Sequence, residues 1–251
     1  MAKRFSSSVA KLPFLNDQEF EDEAALLLAE YSREHGEVLV PPIPIDEIVE
    51  LFLELHLTFD DMQALFGVED VHGALWVNER RVGIDQRLEP TENPAMLGRY
   101  RFTLAHEAGH WRLHRQLFKR SANQPMLLPD HVERPEYICR SSDTDPIEYQ
   151  ANRFASCLLM PREMVKRAWQ DWRGSLEPIY LDDLEENRQA ILDAEAARRG
   201  GYSSGGKSEE NILFENACRP FAEIFAVSSD AMRIRLEGMK FLCRIRENML
   251  F

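Results

Sequence analysis

The chain has 251 residues, enough for one sizeable core or a core with a small appendage. Its formal net charge of −13 opposes binding to phosphate backbones. Its four cysteines are scattered without a C-x-x-C pair, which argues against a disulfide scaffold or a structural zinc site and fits a reducing compartment. No run approaches the eighteen or so apolar residues of a membrane-spanning helix, and the basic start Met1 to Arg4 leads into no apolar segment, so the expectation is a cytoplasmic protein with no membrane partner.

Residues 1–16 read as a loose arm. Asp17 to about His35 reads as a helix capped by Asp17, with Ala24, Ala25, Leu27, Leu28 and Tyr31 on its apolar side and Gly36 as its stop. After the extended Pro41-Pro42-Ile43-Pro44, Asp46 is expected to cap a short helix from Glu47 to about Leu53. The period then changes. Leu55, Leu57 and Phe59 alternate with polar residues as in a half-buried strand, and Gly73–Val77 with Arg80–Asp85 reads as a hairpin. The result is a small, partly antiparallel sheet, whose edge could hold a peptide by strand addition. His56 and His72 fall in or near it and read as ordinary surface or core histidines.

Asn93-Pro94 opens the next helix, which runs to about Phe118 and contains His106-Glu107-Ala108-Gly109-His110. Histidines four apart project from one helix face, so two imidazoles can reach one zinc ion at roughly 2.0–2.1 Å. Glu107 can take a proton from a water activated by the ion without being a ligand. Phe102, Ala105, Gly109 and Leu113 fall at helical spacing and mark a buried face, and Gly109 suggests close approach of another helix. His114 lies about 12 Å along the axis and about 80° around it from His106, so the three histidines cannot share one ion, and His114 is expected to flank the site or support a ligand.

Residues 119–146 are polar and long for a loop. They hold His131, Cys139, Asp143 and Asp145, each read singly as a solvated residue, although a thiolate at Cys139 could reach the metal. Asp145-Pro146 introduces a helix from Ile147 to Met160, ended by Pro161. Ile147, Ala151, Phe154 and Leu158 face a core. Glu148 shares a side with the small Ala151 and Ala155, which permit two helices to approach. Spacing leaves Glu148 as either a third metal ligand or a solvated carboxylate favoured by the helix dipole.

Two stretches together, Arg101-Phe-Thr-Leu-Ala-His-Glu-Ala-Gly-His-Trp111 and Glu148-Tyr-Gln-Ala-Asn-Arg-Phe-Ala-Ser-Cys-Leu-Leu-Met-Pro161, closely resemble the paired motifs of the ImmA/IrrE family of zinc metallopeptidases. The resemblance covers roughly residues 31–172. It implies a mostly helical α+β domain, zincin-like with a gluzincin-like ligand set of His106, His110 and Glu148, and Glu107 as general base. It implies one zinc ion, with manganese as a possible substitute. Asn152 matches a motif position that would support a ligand. The family's members are typically bacterial regulatory proteases that cut a helix-turn-helix repressor, which implies such a partner here. Tyr100, His114, His131 and Tyr149 are unranked candidates for steadying the reaction's oxyanion.

The expected organisation is an arm (1–16), a metallopeptidase domain (17–172), a polar linker or insertion (173–210) and a helix pair (211–251). Gly200–Gly206 carries a flexible-linker composition. Beyond it, Ile212–Ala226 and Ser229–Lys240 read as a helix-turn-helix-like pair. Arg233, Arg235, Lys240, Arg244 and Arg246 make this end basic, and packing or docking is favoured over direct nucleic-acid contact. Two other readings stay open. One is a metal-containing transcriptional regulator or scaffold acting through the C-terminal helices without proteolysis, which has no need of Glu107. The other is hydrolysis of a small amide or ester.

Overall fold

A computed structural model describes residues 12, 14–118, 135–140, 145–198 and 207–246. The arm up to residue 11, His131, Asp143 and the Gly200–Gly206 stretch lie outside the described residues. The chain divides into two compact units, one of residues 1–39 and 43–159, the other of residues 40–42 and 160–251.

The first unit begins with α1 (Asp17–His35). Its cap is Asn16, one residue earlier than expected. The Asn16 side chain accepts from the backbone N–H groups of Gln18 and Glu19, and Glu19 accepts from the Asn16 N–H in return. Asn16 wins because it stands outside the helix in extended backbone, where a capping side chain must sit. Phe20, Ala24, Leu27 and Tyr31 form the buried stripe, and α1 packs on α6 (Pro146–Leu159). Asp46 is not a cap. It lies inside α2 (Ile45–Glu47), which runs into a π-helical turn at Ile48–Phe52, and its carboxylate accepts the Tyr100 hydroxyl.

Four strands follow the expected change of period, with α3 (Met62–Phe66) among them: β1 (His56–Asp60), β2 (Val71–Trp76), β3 (Arg81–Asp85) and β4 (Tyr137–Arg140). The sheet order is β1-β3-β2-β4. β1 pairs parallel with β3, and the two β2 pairings are antiparallel, so the sheet is mixed. β2 and β3 are the expected hairpin. β4 falls in the stretch expected to be a loop, and it places the outer edge of the sheet one strand beyond the hairpin. Its four residues mix Tyr and Ile with Cys and Arg, too short and mixed a run to show a period. One face of the sheet packs Met62, Val71, Ala74 and Trp76 with Ile138. The other carries α4 (Leu97–Gly109), preceded by a 3-10 turn at Pro94–Met96 and followed by a π-helical turn at His110–His114 and α5 (Arg115–Phe118). α4 packs closely on α6. A Cβ on Gly109 would stand 3.2 Å from the Ala151 carbonyl oxygen, which is the packing reason for glycine inside this helix.

The second unit contains α7 (Arg162–Arg173), β5 (Ile179–Tyr180), α8 (Arg188–Arg198), α9 (Glu209–Phe225), α10 (Ser229–Gly238) and β6 (Leu242–Cys243), which pairs parallel with β5. Trp169 of α7 is its centre, stacked on Phe221 at 5.5 Å and on Phe241 at 4.9 Å between ring centroids. Ser208 and Ser228 cap α9 and α10, which pack on each other. Among the described residues no helix is long and apolar enough to cross a membrane.

Candidate metal centre

The site lies in the first unit, where α4, α6 and β4 meet. From Thr103 through His110 every residue of the helix is buried, because α6 covers one side and the sheet another. Polar groups so placed must satisfy one another or a ligand.

The Nε2 atoms of His106 and His110 lie 2.9 Å apart. Glu148, in the first turn of α6, brings Oε2 to 3.0 Å from the first and Oε1 to 3.3 Å from the second. The outward nitrogens are held from behind. His106 Nδ1 lies 2.9 Å from Asn152 Oδ1, an oxygen that can only accept, so the Nδ1–H donates. His114 Nε2 lies 2.9 Å from Gln150 Oε1 and donates likewise. Its Nδ1 is then the acceptor for His110 Nδ1–H at 3.1 Å. With both protons on the outer nitrogens, two lone pairs and a carboxylate converge on one point, and the cluster requires positive charge there.

The electrostatics agree. Burial drives the pKa of His110 down to about 3 against the pull of Glu148, so this imidazole is neutral at ordinary pH. Burial works against ionisation of Glu148, but the two facing imidazoles outweigh it and hold its pKa at about 2. A neutral imidazole and an ionised carboxylate are the forms that bind a metal ion. Two imidazoles and one carboxylate are a donor set that could hold a metal ion.

Glu107 stands beside this cluster with no exposure, and neither carboxylate oxygen has a hydrogen-bond partner among the described residues. Burial first, then the charge of Glu148, raises its pKa well above the usual carboxylate range. A buried acid without a hydrogen-bond partner among the described residues stands beside a group of side chains that could hold a metal ion. Its room is made by Gly73 of β2, where a Cβ would lie 2.8 Å from Glu107 Oε1 and 2.7 Å from Thr103 Cγ2.

The structure thus brings together His106, Glu107, His110 and Glu148, with Asn152 and His114 behind the histidines. It places Tyr100 elsewhere, with its hydroxyl on Asp46, and leaves Tyr149 55% exposed with its ring against Phe20. Tyr137, Gln150 and Gly73 were missed in the sequence. Tyr137 stacks on the His110 ring at 4.1 Å between centroids and donates its hydroxyl to the His114 carbonyl. No local pattern marks Tyr137 or Gly73, since each acts across the sheet. Gln150 sits two residues after Glu148 and could have been suspected from the motif. A cleft of about 320 Å³ beside β4, lined by Tyr137, Ile138, Ile147 and Glu148 among others, reaches the cluster from the sheet's outer edge.

No curated protein matches the chain. The family model described as the IrrE N-terminal-like domain, peptidase M78, matches residues 56–199, a span that includes every residue of the cluster. With more than half of its length inside that model, the chain belongs to the M78 peptidase family, and its function is of metallopeptidase type.

Proposed function

We propose that the chain is a zinc-dependent endopeptidase acting in the cytoplasm, and that its substrate is a helix-turn-helix repressor whose cleavage releases silenced genes. The observation that carries the peptidase reading is the convergence of His106 Nε2, His110 Nε2 and Glu148 on one point with an unpartnered, buried Glu107 beside them. His106, His110 and Glu148 would hold the ion, and Asn152, His114 and Gln150 fix the two imidazoles with their lone pairs inward. A divalent ion held there polarises a peptide carbonyl and acidifies water. Glu107 would take the proton of the attacking water and pass it to the leaving amine, a role suited to a carboxyl group whose pKa burial raises and whose oxygens have no other hydrogen-bond partner among the described residues. The buried surroundings exclude bulk water from that proton. The β4 edge supports the capture of an extended peptide by strand addition next to the cleft. Manganese is the second candidate ion, since nitrogen and carboxylate donors also accept it.

The alternative of a regulator acting through nucleic acid loses support from the C-terminal end. Arg233 pairs with Asp230 and Glu237, Arg244 with Glu210 and Glu237, and Arg246 with Asp183, while Arg235 donates to the Met160 carbonyl. Each of these four cations has a carboxylate or carbonyl partner within the chain, which offsets the basic character of this end.

The test is incubation of the purified chain, loaded with zinc or manganese, with the repressor encoded beside its gene. A discrete fragment is expected with the wild type and none with Glu107→Gln. Equal cleavage by the variant overturns the mechanism, and an intact repressor beside a loaded, otherwise active enzyme overturns the substrate.

A further inference from the structure

Cys139 is the chemistry-bearing residue near the site that the peptidase reading does not use. It stands on β4 opposite Gly73 of β2. Cross-strand partners share a face of the sheet, and a Cβ on Gly73 would point at Thr103 and Glu107. The Cys139 side chain therefore leaves the sheet on the α4 side. Its neighbours agree, since Tyr137 stacks on His110 and Ile138, between them, joins the opposite face. A bulge in β2 between Val71 and Gly73 sets this register at the residue that faces Cys139.

The consequence is a second group of donors. The Cys139 thiol, a carboxylate oxygen of Glu107 and a ring nitrogen of His106 all lie within 4.8 Å of one another. His106 belongs as well to the group formed with His110 and Glu148. A sulfur donor thus sits on the Glu107 side of the cluster, where water and the peptide carbonyl must enter. The second observation is Glu107 itself, fully buried, without a hydrogen-bond partner among the described residues, and part of this same group. Cys139 is only partly buried, and a thiolate is among the strongest zinc ligands.

We propose that Cys139 is a thiolate latch on the metal centre, which occupies the position that the reaction needs in the resting enzyme and restrains the peptidase until the substrate displaces the sulfur. On latching, the S–H proton passes to solvent and a sulfur lone pair enters the coordination shell, with nothing oxidised or reduced. Alkylation holds the latch open: a carbon–sulfur bond forms and the halide of the reagent leaves. The inference rests on the metallopeptidase reading and adds regulation to the same site.

The test uses the full chain loaded with one equivalent of Co²⁺, as wild type and as Cys139→Ser. Visible cobalt bands report the ion on its nitrogen and oxygen ligands, and a near-ultraviolet thiolate-to-cobalt band reports sulfur. The wild type is expected to show both, and the variant the visible bands alone. In the wild type itself, zinc is expected to slow iodoacetamide labelling of Cys139, read by peptide mass, by tenfold or more relative to the metal-free protein, on the order of the protection that a metal–thiolate bond gives. Visible bands without the sulfur band, or labelling unaffected by zinc, overturn the latch and leave the metal site standing. No visible bands at all overturn the metal site, and the latch with it.

Discussion

At the scale of single residues, the account turns on atoms that hold other atoms in place. Asn152 holds the outward nitrogen of His106. Its Oδ1 fixes the His106 tautomer, so Asn152→Ala is expected to weaken zinc affinity by about 10–100-fold with little change in helix content, measured by competition against a chelating dye. Gly73 acts by having no side chain. Gly73→Ala places a methyl group 2.8 Å from Glu107 Oε1 and 2.7 Å from Thr103 Cγ2, so it should push the acid out of line and destabilise the unit by about 1–3 kcal/mol. The expected signature is a fall in kcat larger than any change in zinc content, and full activity would show that Glu107 has room to spare. The sequence reveals the ligands better than their supports. His106 and His110 are legible because helical spacing alone forces them to one face. Glu148 is legible only as an alternative until the second motif is set beside the first. Tyr137 and Gly73 stay hidden because their partners are separated from them by dozens of residues and by a sheet register.

At the scale of elements, the site depends on how closely α6 approaches α4. Gly109 and Ala151 are the contact that permits it. Gly109→Leu cannot be accommodated without moving the Ala151 backbone, because the clash begins at the first side-chain carbon. A loss of about 3 kcal/mol or more in denaturant titration is expected, together with weaker zinc binding, since α6 carries Glu148. The helix gain from replacing glycine, about 1 kcal/mol, is too small to reverse the sign. Here the sequence is informative. The glycine at a helical position and the alanines of the next helix both announce a close pair. Strand β4 is the element that periodicity misses, and it brings Tyr137 and Cys139 to the α4 side of the sheet, beside His110 and Glu107. Four residues offer two alternations at most, too few to distinguish strand from loop. The caps show a finer failure. Asp17 and Asp46 are good capping types, but Asn16 stands one position earlier in the required extended backbone, and Asp46 is already inside its helix.

At the scale of the whole molecule, buried charge makes the stability depend on pH. Asp85 is buried, and burial alone would raise its pKa. The side-chain and backbone hydrogen bonds from Arg87, with the charge of that guanidinium, outweigh it and hold the pKa below the usual carboxylate value. A depressed folded-state pKa contributes stability that is complete above the unfolded-state value of about 3.9 and is lost as pH falls through the folded-state value. Acid titration of Asp85→Asn should therefore show a shallower loss of stability below about pH 4 than the wild type. Arg87 is half exposed, so solvent screens part of this effect. The net charge of −13 and the placing of His106 and His110 on one helix face are legible in the sequence alone, and the division of the chain into two compact units at residue 160 is not, because it depends on which helices pack together.

The most direct measurement is metal content by elemental analysis of the wild type, Glu107→Gln and Glu148→Ala after equilibration with zinc, paired with peptide cleavage by each. The expected result is one ion per chain in the wild type and in Glu107→Gln, with cleavage in the first only and lowered by roughly 10²–10⁴-fold or more in the second, and a loss of bound ion in Glu148→Ala. Full metal content in Glu148→Ala, or undiminished cleavage by Glu107→Gln, would contradict the assignment of this buried cluster as the catalytic centre.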